Sequence, residues 1–291
     1  MTSNFKKPDA LLGAIDLDDE YVTDSWLIDQ FNQNFTAGGL FVSYNGSPMA
    51  GASGPTYNSP VQVGVLTNWK QVTSSGLAIK TDGTLWGCYN NSYGILGNGT
   101  TVTSYSSPVQ IGSLTNWKTI SSNTKMAAAI KTDGTLWTWG INRDGSLGNN
   151  NTVYYSSPIQ VGALTNWKSV SVGEGFADDV HVLAIKTDGT LWAWGYNVSG
   201  QLGNGTTLSY SSPIQIGSMT DWKYISCGGD SSGAIKNNGT LWTWGYNSFF
   251  QLGLGNAINY SSPVQVGSSN YWKEISMGGI YNPSFALKRD G

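Results

Sequence analysis

The residue best suited to acid–base chemistry is His181, the only histidine in the chain. It follows the run "GEGFADDV", so Asp178 and Asp179 stand close by, and a carboxylate beside an imidazole is part of a hydrolytic relay. The other parts are missing: no nucleophile, oxyanion-binding loop or third member accompanies the pair, and catalysis is not expected there. Asp178, Asp179 and Glu174 also offer the oxygens that a calcium ion takes, but their spacing matches no twelve-residue calcium loop, and the run reads as a solvated acidic loop. The runs "GEG" at 173–175 and "GNG" at 97–99 and 203–205 lead into no helix carrying a lysine. Their glycines serve tight turns, not phosphate binding. Cys88 and Cys227 suggest neither a disulfide framework nor a metal site. No metal, no cofactor and no enzyme activity are expected.

Aromatic residues offer a second chemistry, because an aromatic face stacks on a sugar ring. Most of the tryptophans, however, recur in register. Trp86, Trp137, Trp192 and Trp242 form one column; Trp139, Trp194 and Trp244 form another; and a third follows the "WK" dipeptides. Such columns are the packing code of a repeat. Departures from the code point to contact sites, and the clearest is Phe249-Phe250: Phe250 occupies the place of Gly94, Gly145 and Gly200 in the other copies. Phe249, Phe250 and Tyr93 are therefore candidate rim contacts. The "YSSP" tyrosines, Tyr105, Tyr155, Tyr210 and Tyr260, join them if the chain binds glycans.

What must position these residues is a repeat. Proline in "SP(V/I)Q(V/I)G" recurs at 60, 108, 158, 213 and 263, and tryptophan in "WK" at 69, 117, 167, 222 and 272, both at intervals of 48, 50, 55 and 50 residues. Each copy holds four short strand patterns bounded by Gly, Asn, Ser or Pro. Asp82-Gly83, Asp133-Gly134, Asp188-Gly189 and Asn238-Gly239 link the last two and suit a two-residue type I′ hairpin turn. Four-stranded units at a fixed period, with no helical pattern between them, predict an all-β, five-bladed β-propeller over residues 38–291. The longest interval reflects extra residues within 172–182, expected as a protruding loop. The chain ends on "SFALKRDG", the first half of a hairpin, while "GGLFVSYN" at 38–45 reads as a second half. Pairing of Ser284–Lys288 with Leu40–Tyr44 would complete one blade from both chain termini.

The run "AIKTDGTLWAWGYNVSGQLGNGT", followed by "SSPIQIG", resembles the repeat of the regulator of chromosome condensation family. The resemblance implies a β-propeller. The family's best-known form has seven blades, so the blade number here rests on the repeat count. Its chromatin contacts and nucleotide-exchange activity are not carried over, because those surfaces lie outside the repeat signature.

Charge excludes further classes. Only 11 % of residues are charged, the net charge is −3 and no Lys/Arg run exists, so nucleic acid is not an expected partner. No apolar run predicts Sec-type secretion or membrane insertion. Residues 1–37 lie outside the period, and "FKKPDALLGAIDLDDEYVTDSWLIDQF" resembles lead segments of tailed-phage virion proteins. The segment is read as an assembly tether that docks through Leu12, Ile15, Tyr21, Trp26, Leu27, Ile28 and Phe31. The resulting expectation is a non-enzymatic virion or tail-associated scaffold, present in multiple copies and contacting other virion proteins and a host glycan or receptor. The alternatives are a lectin-like propeller and an intracellular protein-interaction scaffold, the last placing the chain in the cytoplasm.

Overall fold

The computed structural model describes residues 14–15, 41–42, 61–62, 68–102, 104–175, 178–279 and 282–289. Three two-residue strands come first: β1 (Ala14–Ile15), β2 (Phe41–Val42) and β3 (Val61–Gln62). Four complete sheets follow, each antiparallel and in chain order. They are β4 (Trp69–Val72), β5 (Leu77–Lys80), β6 (Leu85–Tyr89) and β7 (Tyr105–Gln110); β8 (Trp117–Ser122), β9 (Met126–Lys131), β10 (Leu136–Gly140) and β11 (Tyr155–Gln160); β12 (Trp167–Val172), β13 (His181–Lys186), β14 (Leu191–Gly195) and β15 (Tyr210–Gln215); and β16 (Trp222–Cys227), β17 (Ser231–Lys236), β18 (Leu241–Gly245) and β19 (Tyr260–Gln265). β20 (Trp272–Ser276) and β21 (Phe285–Lys288) begin a fifth. The architecture is the all-β propeller that the period predicts.

Burial explains the pattern of each strand. The second strand of a blade lies between neighbouring blades, so β9 is buried at every residue and reads as the continuous run "MAAAIK". The tryptophan columns are packing, as expected. Trp117 meets Trp137 and Trp139 with ring centroids 6.3 and 6.0 Å apart. The column at 139, 194 and 244 stitches blades together: each indole N–H donates to a carbonyl of the preceding blade, Ile95 at 2.6 Å, Ser146 at 2.8 Å and Gln201 at 2.9 Å. Lysine completes the arrangement. The ammonium groups of Lys80, Lys131 and Lys186 lie 3.4, 3.6 and 3.4 Å from the ring centroids of Trp86, Trp137 and Trp192.

The hairpins form where predicted, but their turn type differs. Only the glycine takes positive φ, +80° at Gly83, whereas type I′ would require Asp82 to do so as well. Gly83 N–H donates to Lys80 O, and Lys80 N–H to Thr84 O, which makes a three-residue loop with a glycine bulge. Asp82 is instead committed to holding Thr84, accepting from its N–H at 2.9 Å and its hydroxyl at 2.7 Å.

Strands from near the two ends of the chain do share a sheet, but the partners differ from those expected. β21 pairs in parallel with β1, Ala14 opposite Ala286 and Ile15 opposite Leu287, and not with Leu40–Tyr44. Phe41–Val42 pairs with Val61–Gln62 at the register that Trp137 and Gln160 use in a complete blade. The two halves of the fifth repeat thus lie in separate sheets. No hairpin turn joins them, so nothing local fixes their register, and β21 takes β1 on the side where a complete blade has its third strand.

Candidate interaction rim

The loops between first and second strands and those between third and fourth strands gather at one end of the blades. A buried asparagine shapes each of the latter loops. Asn91, Asn142, Asn197 and Asn247 accept the N–H of Leu96, Leu147, Leu202 and Leu252 at 3.0, 2.8, 2.8 and 3.0 Å. Three residues after each asparagine the chain must turn with positive φ: +72° at Gly94, +76° at Gly145, +80° at Gly200 and +62° at Phe250. Glycine suits the first three for a second reason. A Cβ at Gly94 would stand 2.6 Å from Ser156 Cβ, and one at Gly200 2.6 Å from Ser261 Cα, both on the outer strand of the following blade. Ser211 lies equally tight against Gly145. A side chain at this position and a regularly packed next blade exclude one another.

Phe250 departs from that rule, carrying a ring at the same positive-φ turn. Phe250 is 58 % exposed and Phe249 55 %, with the Phe249 ring against Tyr246 at a centroid distance of 6.1 Å. Tyr93, at the corresponding turn of the first complete blade, is exposed too. The structure thus places all three expected rim residues at the surface. The "YSSP" tyrosines differ: Tyr105, Tyr155, Tyr210 and Tyr260 pack against the core clusters, because they open the outer strand and pair with the end of the third. One further row was not expected. Val102, Val153, Leu208 and Ile258 occupy the same place in four successive loops and are all exposed, Val102 by 90 %. Alignment of the loops by their asparagine and their Leu-Gly pair would have found it.

The inserted segment does not simply protrude. Asn123 Nδ2 donates to Gly173 O at 2.7 Å from one side, and Glu174 N–H donates to Gly228 O at 3.1 Å on the other, so its stem bridges the loops of both neighbouring blades. Asp178 pairs with Lys125 at 3.3 Å. Asp230 accepts from Gln201 Nε2 at 3.2 Å, and burial together with the charge of Asp179 pushes it up to about 6. Burial likewise raises Asp144 and Asp179, partly offset by Arg143. The described residues contain no group of three or more His, Cys, Asp or Glu arranged to hold a metal.

His181 is not part of that loop. It opens β13, is 1 % exposed, and burial lowers it to about 3. Its Nε2 lies 2.9 Å from Ser232 Oγ, while that hydroxyl donates to Gln201 O at 2.7 Å. With the Ser232 hydroxyl directed to that carbonyl, His181 Nε2 is placed to donate to Ser232 Oγ. Both side chains are buried, and the pair is a packed polar contact within the core. Burial pushes both thiols, Cys88 and Cys227, up to about 12.

The model of the regulator of chromosome condensation (RCC1) repeat matches residues 133–177, 188–235 and 238–281, and a second model of that repeat matches 167–201 and 222–251. The chain belongs to the RCC1 repeat family. Among curated proteins it is similar to the ultraviolet-B receptor UVR8 of Arabidopsis thaliana, 29 % identical over 52 % of this chain and 34 % of that protein. It is also similar to the mitochondrial RCC1 domain-containing protein RUG3 of the same plant, 32 % identical over 36 % of this chain and 24 % of the relative. Among solved structures, Prp20p of Saccharomyces cerevisiae superposes with a TM-score of 0.67 at 20 % identity, covering 81 % of this chain and 60 % of its own. Human WBSCR16 gives 0.61 at 21 % identity, over 70 % and 53 %. The matches to UVR8 and RUG3 thus span about a third or less of those proteins, and the solved structures show the shared fold. Within this RCC1-repeat chain the tether residues Leu12, Tyr21, Trp26, Leu27, Ile28 and Phe31 lie outside the described residues, as does the boundary at 37/38. Ile15 belongs to β1.

Proposed function

We propose that this chain is a non-enzymatic protein-interaction scaffold whose working surface is the rim around Phe250. The observation that carries the reading is the large, exposed apolar ring at a positive-φ position where three sister repeats have glycine. An exposed aromatic pair beside a row of aliphatic residues is a contact surface for another protein. The relatives support protein as the class of partner: the Prp20p structure is described with its binding to Gsp1p and histones, and yeast RCC1 has been solved bound to Kap60.

Two finer readings belong to the same proposal. One is anchoring in a virion through residues 1–37, to which the family and the relatives described above lend no support; cytoplasmic placement is its alternative. The other is glycan binding. With the "YSSP" tyrosines packed on the core, Tyr93, Phe249 and Phe250 are the expected rim residues that keep exposed rings for stacking on a sugar. A photoreactive phenylalanine analogue at position 250 decides between partner classes. The expected result is a discrete protein adduct that excess unlabelled wild-type chain competes away and that an analogue placed at Leu114, at the opposite end of the blades, does not give. Binding on a glycan array with no protein adduct would overturn the scaffold reading.

A further inference from the structure

One residue in every inner strand escapes the ladder. In the pairing of β4 with β5, Trp69 is opposite Lys80 and the next matched pair is Gln71 with Ile79, so Lys70 has no partner across the strand. The same skip isolates Lys118, Lys168, Lys223 and Lys273. A bulge re-aims its extra residue, and all five lysines are exposed. The inner strands stand side by side. Gln71 Nε2 donates to Ile120 O at 2.6 Å, Lys70 Nζ to Lys118 O at 2.9 Å, and Ser121, Ser171 and Ser226 accept the N–H of Val172, Cys227 and Met277 in the next blade at 3.0, 2.9 and 2.9 Å. Because each lysine directly follows the first tryptophan of its strand, all five fall on one arc along the inner edge, at the end of the blades opposite Phe250.

The balance of charge along this arc is uneven. The second lysine column is buried over indole rings and has acids of its own: Asp82, Asp133 and Asp188 act on Lys80, Lys131 and Lys186, and Asp221 lies 3.5 Å from Lys236. On the arc only Lys273 has an ion pair among the described residues, with Glu274 at 3.7 Å. Lys70, Lys118, Lys168 and Lys223 therefore form a strip of positive charge in a chain whose net charge is −3.

We propose that this lysine arc docks a carboxylate-rich peptide segment of a protein partner. Charge complementarity gives the sign of the ligand, and one ammonium per blade suits a single extended run of carboxylates. A long phosphate backbone fits less well, since beyond the arc it would meet Asp82, Asp133 and Asp188 at the hairpin turns of the same end. The rim at Phe250 stays free when the arc is filled, so the proposal stands apart from the scaffold reading.

The test is fluorescence anisotropy of a labelled octaglutamate peptide with the full chain at low ionic strength. Saturable binding that weakens with salt is expected, and the Lys118→Ser/Lys168→Ser variant should lose about tenfold in affinity while melting like wild type. Lys125→Ser, at the opposite end, should bind as wild type does. Absence of saturable binding overturns the proposal, as does an equal loss in Lys125→Ser or equally tight binding of a single-stranded DNA of the same length. If octaglutamate binds only after Asp16, Asp18, Asp19 and Glu20 are replaced by their amides, the occupant is the chain's own lead segment and the partner assignment falls.

Discussion

If the glycine three residues after each buried asparagine is required by the next blade, Gly200→Ala should be severe and Phe250→Gly mild. Three contributions set the size of the first effect. Holding an alanine at φ +80° costs about 1 to 2 kcal/mol. The new Cβ, 2.6 Å from Ser261 Cα, must displace the backbone of the outer strand, an overpacking cost of about 1 to 3 kcal/mol. Lower entropy of the unfolded chain returns about 0.5 to 1 kcal/mol. The net loss should be roughly 2 to 4 kcal/mol. Gly217 isolates the backbone part, because it has φ +62° and nothing within 4 Å of its Cβ position; Gly217→Ala should cost only about 1 kcal/mol. For Phe250→Gly, relief of about 1 to 2 kcal/mol of backbone strain offsets the extra freedom of glycine and the loss of a half-buried ring, leaving stability within about 1 kcal/mol of wild type. Urea unfolding of the full chain, comparing midpoints at constant slope, measures all three. The reasoning fails if Gly200→Ala unfolds with Gly217→Ala, or if Phe250→Gly loses more than about 2 kcal/mol, which would make that ring part of the core.

Three further outcomes are expected. The folded state holds Asp230 above its ordinary value, so the unfolded chain ionises first, and stability falls as pH rises from about 3.8 toward about 6. Asp230→Asn should therefore gain about 1 kcal/mol at pH 7 after discounting for solvent screening, and nothing at pH 3.5, as read by thermal melts at the two values. His181 shifts the other way: its contribution is complete above pH 6.5 and is lost as pH falls toward about 3, because only the unfolded chain takes up the proton. His181→Ala should cost about 2 to 4 kcal/mol without altering partner capture at position 250; a variant as stable as wild type would contradict its buried contact with Ser232. If residues 1–37 tether the chain to a partner, deletion of residues 2–31, which also strips β1 from β21, should leave a propeller that melts cooperatively in calorimetry at a lower temperature and fails to co-sediment with that partner; loss of folding, or unchanged co-sedimentation, would refute the tether.

Much of the fold was legible because a repeat measures itself. Five tryptophans at a nearly constant interval locate every inner strand from the letters alone, and the asparagine- or aspartate-glycine pairs locate the hairpins. The type of turn was not legible. Asp and Asn reach positive φ cheaply and also accept hydrogen bonds from the residue two places on, and only the geometry shows that the second property is used. The position of His181 is hidden in the sequence for a related reason. The extra residues fall between two strands without a punctuating glycine or proline at the far end, so the start of β13 lay hidden inside what reads as loop. The lysine columns were visible as letters, but their opposite fates, one over indole rings and one re-aimed by a bulge, depend on a skip in register that composition does not encode.

The contrast between the two kinds of position bears on function. In a repeat array every seam imposes the same contacts, so a residue that recurs is held in place by its neighbours and says little about partners. A residue that breaks the pattern is tolerated only where the neighbour's constraint is absent. At Gly94, Gly145 and Gly200 the next outer strand leaves no room for a Cβ, whereas Phe250 keeps the same turn and the same N–H bond to the asparagine carbonyl while carrying a full aromatic ring. The blade that follows is also the one whose halves lie in separate sheets, with β21 paired to β1 and β2 to β3. Aromatic substitution and divided blade therefore mark one discontinuity. Phe250 thus exposes apolar surface at that discontinuity, at a position where in the other blades a side chain would collide with the packing that holds them together.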